Sequence, residues 1–172
     1  MNYGKINPND IANGTGVRVT LFVSGCTHHC KGCFNSETWD FNYGTPFNLE
    51  TEEKILKLLE PDYINGLTLL GGEPMEPSNQ KALLPLLKKV KEKFPKKDIW
   101  CYSGYLFDTE IKNGRAHCDS TDEMLSYIDV LVDGRFEIDK KNIMLKFRGS
   151  ENQRIINVKE SIKQNKVILF ME

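Results

Sequence analysis

Three cysteines within eight residues, Cys26, Cys30 and Cys33, constrain this chain more than any other feature. They are spaced C-x3-C-x2-C and follow the apolar, β-branched run Arg18–Val23. Thiolates are soft, electron-rich ligands, so three of them this close together point to one metal centre. A four-iron, four-sulfur cube usually takes four thiolates, one per iron. Three would leave one iron without a protein ligand, and an open coordination position marks chemistry rather than scaffolding, by the logic of zinc sites. The spacing alone leaves a second reading open, a zinc ion held by the three cysteines with His28 or His29.

The other two cysteines give no pair to set against the first three. Cys101 lies in an apolar run and Cys118 in a polar one, which suits a small buried hydrophobe and an incidental thiol. The segment Met1–Asn13 is polar and has no apolar core of the kind a signal peptide needs. No apolar stretch approaches the ~20 residues that span a bilayer. A cytoplasmic setting, where thiols stay reduced, is expected, with no membrane partner. That setting favours metal or redox use of the cysteines over disulfides. The 23 basic and 24 acidic residues nearly cancel, which argues against nucleic acid as a partner. The run Lys88, Lys89, Lys91, Lys93, Lys96 and Lys97 reads as a solvated helix face.

With 172 residues, no repeat and no Gly/Ser/Pro-rich linker, the chain reads as one domain, 1–172. Arg18–Val23 reads as the first strand. Asn48 is placed to cap a helix running to about Glu60. Gly66–Leu70 reads as a second strand, broken by Gly71-Gly72-Glu73-Pro74. Ser78 is a candidate cap for the next helix, in which Pro85 should cause a kink or a restart. Asp98–Tyr102 and Val130–Val132 read as strands, with a short helix at Thr121–Tyr127 between them. Asn157–Gln164 is weakly helical and Lys166–Phe170 has strand character. Strands alternating with helices predict an α/β fold with mostly parallel strands. Its distinctive residues follow the strands, at the carboxyl edge where such sheets place ligands.

The cysteine triad resembles that of the radical S-adenosylmethionine enzymes. Met1-Asn2-Tyr3, Asn13-Gly14-Thr15-Gly16, Phe22-Val23-Ser24-Gly25-Cys26, Gly32-Cys33-Phe34-Asn35 and Trp39 narrow the likeness to the activating enzymes of anaerobic ribonucleoside-triphosphate reductase. The resemblance runs over nearly the whole chain. It implies a partial (β/α) barrel, since a complete eight-fold barrel needs ~250 residues. It also implies a [4Fe–4S] cluster on Cys26, Cys30 and Cys33, with S-adenosylmethionine chelating the open iron. One-electron reduction, from flavodoxin or a similar carrier, would cleave S-adenosylmethionine to methionine and a 5′-deoxyadenosyl radical. That radical would take a hydrogen atom from one glycine α-carbon of the reductase large subunit.

The same resemblance assigns cofactor contacts. Gly-Gly-Glu-Pro at 71–74 looks like the superfamily motif that binds the amino group of the methionine portion, which points to Gly72 and Glu73. Glycine allows close backbone approach to a ligand, and the Glu73 charge would strengthen the grip. Most of the superfamily has an aromatic just before the third cysteine. Gly32 stands there instead, as in the activating enzymes, which assigns adenine to the backbone from Gly32 through Cys33 to Phe34. For Phe34 itself, stacking on the base and a place in the core are both open. Ser103-Gly104-Tyr105 suits the same pocket, and Arg148 suits a bidentate carboxylate pair. A chain this short would leave one side of the site uncovered for an inserted peptide loop.

Two other functions fit parts of the pattern. A small-molecule radical enzyme resembling carboxy-deazaguanine synthase would need no protein partner. A non-enzymatic zinc or electron-transfer module would leave the Gly-Gly-Glu-Pro turn unexplained.

Overall fold

A computed structural model describes residues 1–172. The β-branched run before the cysteines is a strand, but it is the second one. The chain begins with β1 (Asn2–Asp10), which pairs antiparallel with β2 (Val17–Val23). Polar Met1–Asn13 carries no clean alternation, because β1 is half exposed and its register with β2 shifts twice, at Tyr3/Lys5 and Asn7/Asp10. Pro8 falls inside the second shift, where a missing ladder N–H is tolerated.

The two-residue β3 (Thr45–Pro46) is followed by α1 (Leu49–Leu58), β4 (Ile64–Gly71), α2 (Pro77–Lys93) and β5 (Asp98–Ser103). Then come α3 (Thr121–Tyr127), β6 (Val130–Asp133), β7 (Arg154–Asn157), α4 (Val158–Gln164) and β8 (Leu169–Met171). One sheet takes all eight strands in the order β3-β1-β2-β4-β5-β6-β7-β8. The central four, β2, β4, β5 and β6, pair in parallel, while β1 and β7 run against their neighbours. The fold is therefore α/β with a mixed, mostly parallel sheet. It is open, with β3 and β8 at its edges.

Side chains alternate across the central strands, as strand geometry requires. Val19, Leu21, Leu67, Leu69, Ile99 and Leu131 point to one face. They pack there against Ile55 of α1, Leu83 and Leu87 of α2, Met124 of α3 and Val158 of α4 in a core of 25 buried residues. No helix covers the opposite face, where Trp100, Val130, Val132 and Ile155 form a small separate cluster. Its far end is closed by buried Arg18. The guanidinium donates to Thr68 Oγ1 (2.7 Å) and to the carbonyls of Thr15 and Leu67, and pairs with Asp98 (2.6 Å).

Asn48 caps α1 in a reciprocal box with Thr51. The second cap differs from expectation. Ser78 is already inside α2, which starts at Pro77. Proline at the first helical position needs no N–H partner, and the Glu76 side chain before it is used elsewhere. Nor does Pro85 restart the helix: α2 is continuous through it. Pro85 and Lys81 both lie on the exposed side, so water can reach the Lys81 carbonyl that loses its partner. Strand β7 lies where the sequence shows only polar loop, its two buried residues Ile155 and Ile156 being too few to set a period. Several of the lysines are paired: Lys89 with Glu52, Lys91 with Asp129 and Lys93 with Glu60.

Two surface changes test this account of the helices. Pro85→Ala restores a backbone hydrogen bond and should stabilise the fold by ~1–2 kcal/mol. Asn48→Ala removes the α1 cap and should cost ~1 kcal/mol. Urea unfolding midpoints read both; a Pro85→Ala protein no more stable than the parent would contradict the first.

Candidate functional site

The loops that leave the parallel strands gather at their carboxyl ends around a cavity of about 500 Å³. Cys26, Cys30 and Cys33 line it from the loop after β2, Gly71–Glu73 from the turn after β4, Ser103 and Gly104 from the end of β5, and Gly134 after β6. Phe34, Phe136 and Phe147 form its aromatic wall. The late segment contributes Leu145, Arg148, Gly149 and Gln153 as well. The late segment therefore forms one wall of the site.

The Gly-Gly turn serves first to join the cysteine loop to the sheet. Gly71 has φ +106°, a conformation that favours glycine. Gly72 N–H donates to Val23 O and Glu73 N–H to Gly25 O, both at 2.8 Å. A Cβ on Gly72 would stand 2.7 Å from Gly25 O and 2.8 Å from Thr38 O, so no side chain fits.

Glu73 is buried, and both of its oxygens are engaged by the protein. One accepts from Met75 N–H (2.8 Å); the other accepts from Gly104 N–H (2.7 Å) and faces His28 Nε2 (2.7 Å). A contact from this turn to a ligand therefore falls to backbone. Glu76, also buried, accepts from Thr27 N–H (3.0 Å), Thr27 Oγ1 (2.6 Å) and the Tyr105 hydroxyl (3.2 Å). Asn79 Nδ2 donates to the carbonyls of Ser24 and Glu73. Glu73, Glu76 and Asn79 thus pin the cysteine loop to the start of α2. Sequence reasoning missed Glu76 and Asn79. Their signal is the spacing of three, which puts polar side chains on one side of a helix start.

The histidines have separate duties. His28 is held by Glu73 and by the edge of Tyr105 (4.3 Å), and its buried Nδ1 has no partner in the protein. His29 stacks on Trp39 at 4.5 Å. Phe34 is 65% exposed, so it is not core; it rests against Phe136 at 5.2 Å. Gly32 is outside the cavity lining, and a Cβ there would meet Ile138 Cδ1 at 2.9 Å. Cys33 and Phe34, its neighbours, do line the cavity. Tyr105 stands behind it, on Glu76 and Thr27. Arg148 makes no carboxylate pair and donates instead to the carbonyls of Glu151 and Gln153. The bidentate pairs are Arg154–Asp133 and Arg135–Glu110. Cys101 is buried in the core, and Cys118 Sγ approaches Gln80.

All five thiols are free. Burial pushes the Cys26 thiol up to about 12, with backbone N–H groups of His28 and His29 opposing and Glu73 and Glu76 reinforcing the rise. Burial also raises Cys30. Such thiols ionise readily only when a cation compensates them, which is how metal binding and proton release are linked. No three His, Cys, Asp or Glu side chains converge as a single metal ion requires. A cluster that gives each thiolate its own iron does not ask for that convergence. Three free thiols on one cavity, with a polar His28 nitrogen and backbone groups beside them, therefore fit a multi-iron cluster with an added ligand.

In the metal-free protein at pH 8, alkylation by iodoacetamide should reach Cys26 at least tenfold later than Cys33, as peptide mass mapping would show. Glu76→Ala should remove that difference by freeing the loop, while Glu76→Gln keeps most of it. Equal rates in the parent protein would contradict the burial argument.

The comparisons with known proteins agree with this chemistry. Residues 12–156 match the family model described as a 4Fe-4S single cluster domain. The anaerobic ribonucleoside-triphosphate reductase-activating protein of Pasteurella multocida is 48% identical over 157 residues, 90% of this chain and 96% of that protein. The protein of the same name from Enterobacteria phage T4 is 45% identical, over 90% and 93% of the two chains. That of Escherichia coli K12 is 42% identical, over 89% and 96%. The chain belongs to the family of anaerobic ribonucleoside-triphosphate reductase-activating proteins.

Proposed function

We propose that this protein activates an anaerobic ribonucleoside-triphosphate reductase by generating a glycyl radical on its large subunit, using S-adenosylmethionine at a [4Fe–4S] cluster. One observation carries the reading: the three cysteines and the Gly-Gly-Glu turn, 38 residues apart at Cys33 and Gly71, line a single cavity at the carboxyl edge of the sheet. When bound there, the cluster and S-adenosylmethionine together supply reductive cleavage to methionine and a 5′-deoxyadenosyl radical, which takes a hydrogen atom from a glycine α-carbon.

The residues of this chain bind, orient and shield. Cys26, Cys30 and Cys33 would hold three irons and leave the fourth for the amino and carboxylate groups of S-adenosylmethionine. The backbone at Gly72 and Glu73 is assigned to its methionine portion. The stretch from Gly32 to Phe34 is assigned to its adenine, with Cys33 and Phe34 as the members that reach the cavity. Phe34, Phe136 and Phe147 keep water from the reacting groups. Glu73 and Glu76 fix the loop that carries the thiols, so the site needs little rearrangement when it is loaded. The open sheet corresponds, in this reading, to the partial barrel of the radical S-adenosylmethionine enzymes, with residues 1–172 as one domain. A flavodoxin-like carrier is assigned as the electron donor. The cytoplasm is assigned as the compartment; no helix is long and apolar enough to cross a membrane.

The test is anaerobic. The protein is reconstituted with iron and sulfide, reduced, given S-adenosylmethionine, and assayed for 5′-deoxyadenosine. Product should form and fall at least 100-fold with Cys30→Ala. Adding the reductase should then produce a glycyl-radical signal by electron paramagnetic resonance. A fully loaded, reduced cluster that forms no 5′-deoxyadenosine would overturn the reading.

A further inference from the structure

The rim of the cavity is unlike the rest of the surface. Between β6 and β7 the chain passes through a segment whose Leu145, Phe147 and Arg148 line the cavity. Just ahead of them, Ile143 and Met144 turn outward, 85% and 83% exposed, the most exposed large hydrophobic side chains in the protein. Adjacent, solvated and apolar, they cover nothing of their own chain. Exposed Phe34 and Ile138 continue the apolar band toward the cysteine loop, Phe34 through Phe136 and Ile138 beside Gly32.

Basic side chains crowd the middle of this segment. From Lys140 to Gly149 the sequence carries Lys140, Lys141, Lys146 and Arg148 and no acid, between Glu137 and Asp139 on one side and Glu151 on the other. Of these, only Lys140 has a carboxylate partner, Glu137 at 2.8 Å. Lys141 lies over the Phe34 ring at 5.3 Å, which joins the basic and apolar parts of the rim.

Such a surface calls for a partner, and the cavity says which side it arrives from. Hydrogen-atom transfer needs the donor carbon in contact with the reacting group. A backbone glycine of another protein must therefore be carried into a cavity of about 500 Å³. The surface flanking that glycine then comes down on the rim. We propose that Ile143, Met144 and Lys146 form the docking surface for the reductase. They would receive an apolar patch bordered by acidic side chains next to the glycine-bearing loop. The proposal rests on the function given above and names the part of this chain that recognises the protein substrate. Apolar anchors set how long the complex lasts, and the lysines set how quickly it forms.

Two variants test it, Ile143→Asp/Met144→Asp and Lys146→Glu. All three side chains lie outside the cavity lining. Binding to the anaerobic reductase of the same organism is read directly, by fluorescence anisotropy of labelled activase, at low and high salt. The double variant should raise the dissociation constant at least tenfold. Lys146→Glu should do so at low salt and reduce the salt dependence of binding. 5′-Deoxyadenosine formation without reductase should be unchanged in both. Unchanged affinity in both variants would overturn the proposal. So would light scattering that shows the double variant converting a dimer to a monomer, since the occupant would then be a second copy of this chain. Failure of the wild-type protein to make 5′-deoxyadenosine would bring down the functional reading, whereas the binding result judges the docking surface separately.

Discussion

Two buried carboxylates hold this site together. Glu73 reaches His28 and Gly104, and Glu76 reaches Thr27 and Tyr105. Between them they tie the loop after β2, the turn after β4 and the end of β5 into one body. Neither is matched by an arginine or lysine; their partners are N–H and O–H groups and one imidazole. A buried carboxylate satisfied by several short hydrogen bonds is expensive to remove, because a replacement without an acceptor leaves its donors unpaired. The cysteine loop is irregular and carries little apolar material of its own. Its shape is borrowed from the start of α2.

That dependence decides what could be read in advance. The cysteine triad, the Gly-Gly turn and the helices at Asn48 and Thr121–Tyr127 were legible because each is a local signal: ligand spacing, turn chemistry, a cap, a period. The parallel strands were legible from their β-branched runs. Strand β1 was not, since Tyr3 and Ile6 are its only clear apolar cues and its pairing with β2 makes it a strand. Strand β7 was hidden for a similar reason, being completed by Asp133–Arg154 and the β6 ladder. Glu76 was missed because its partner Thr27 lies 49 residues away in the chain, and the spacing of three shared with Glu73 and Asn79 gives only a helix start. Arg148 looked like a carboxylate partner, but the carboxylates had already been taken by Arg135 and Arg154.

The two faces of the sheet divide the work. One face, packed by all four helices, supplies most of the buried apolar area and with it most of the stability. The other has aromatic and polar side chains and a small cluster of its own. The same strands therefore serve a rigid layer and a receptive one, with alternate residues committed to each. This arrangement lets the face opposite the helices carry groups poorly suited to a core, such as Arg18 and Thr68, without interrupting the packing behind them.

An open sheet also leaves backbone edges, and this one meets them in different ways. The outermost strands are only two and three residues long, and the first ends in Pro46, which has no N–H to offer. Strand β3 shields only Asn2 and Tyr3 of the nine-residue β1, so the remaining edge of β1 faces outward. Along that stretch stand Lys5 and Pro8, with two shifts of register that bend the strand away from flatness. With its edges short, charged or broken, this open sheet offers copies of the chain little template on which to polymerise.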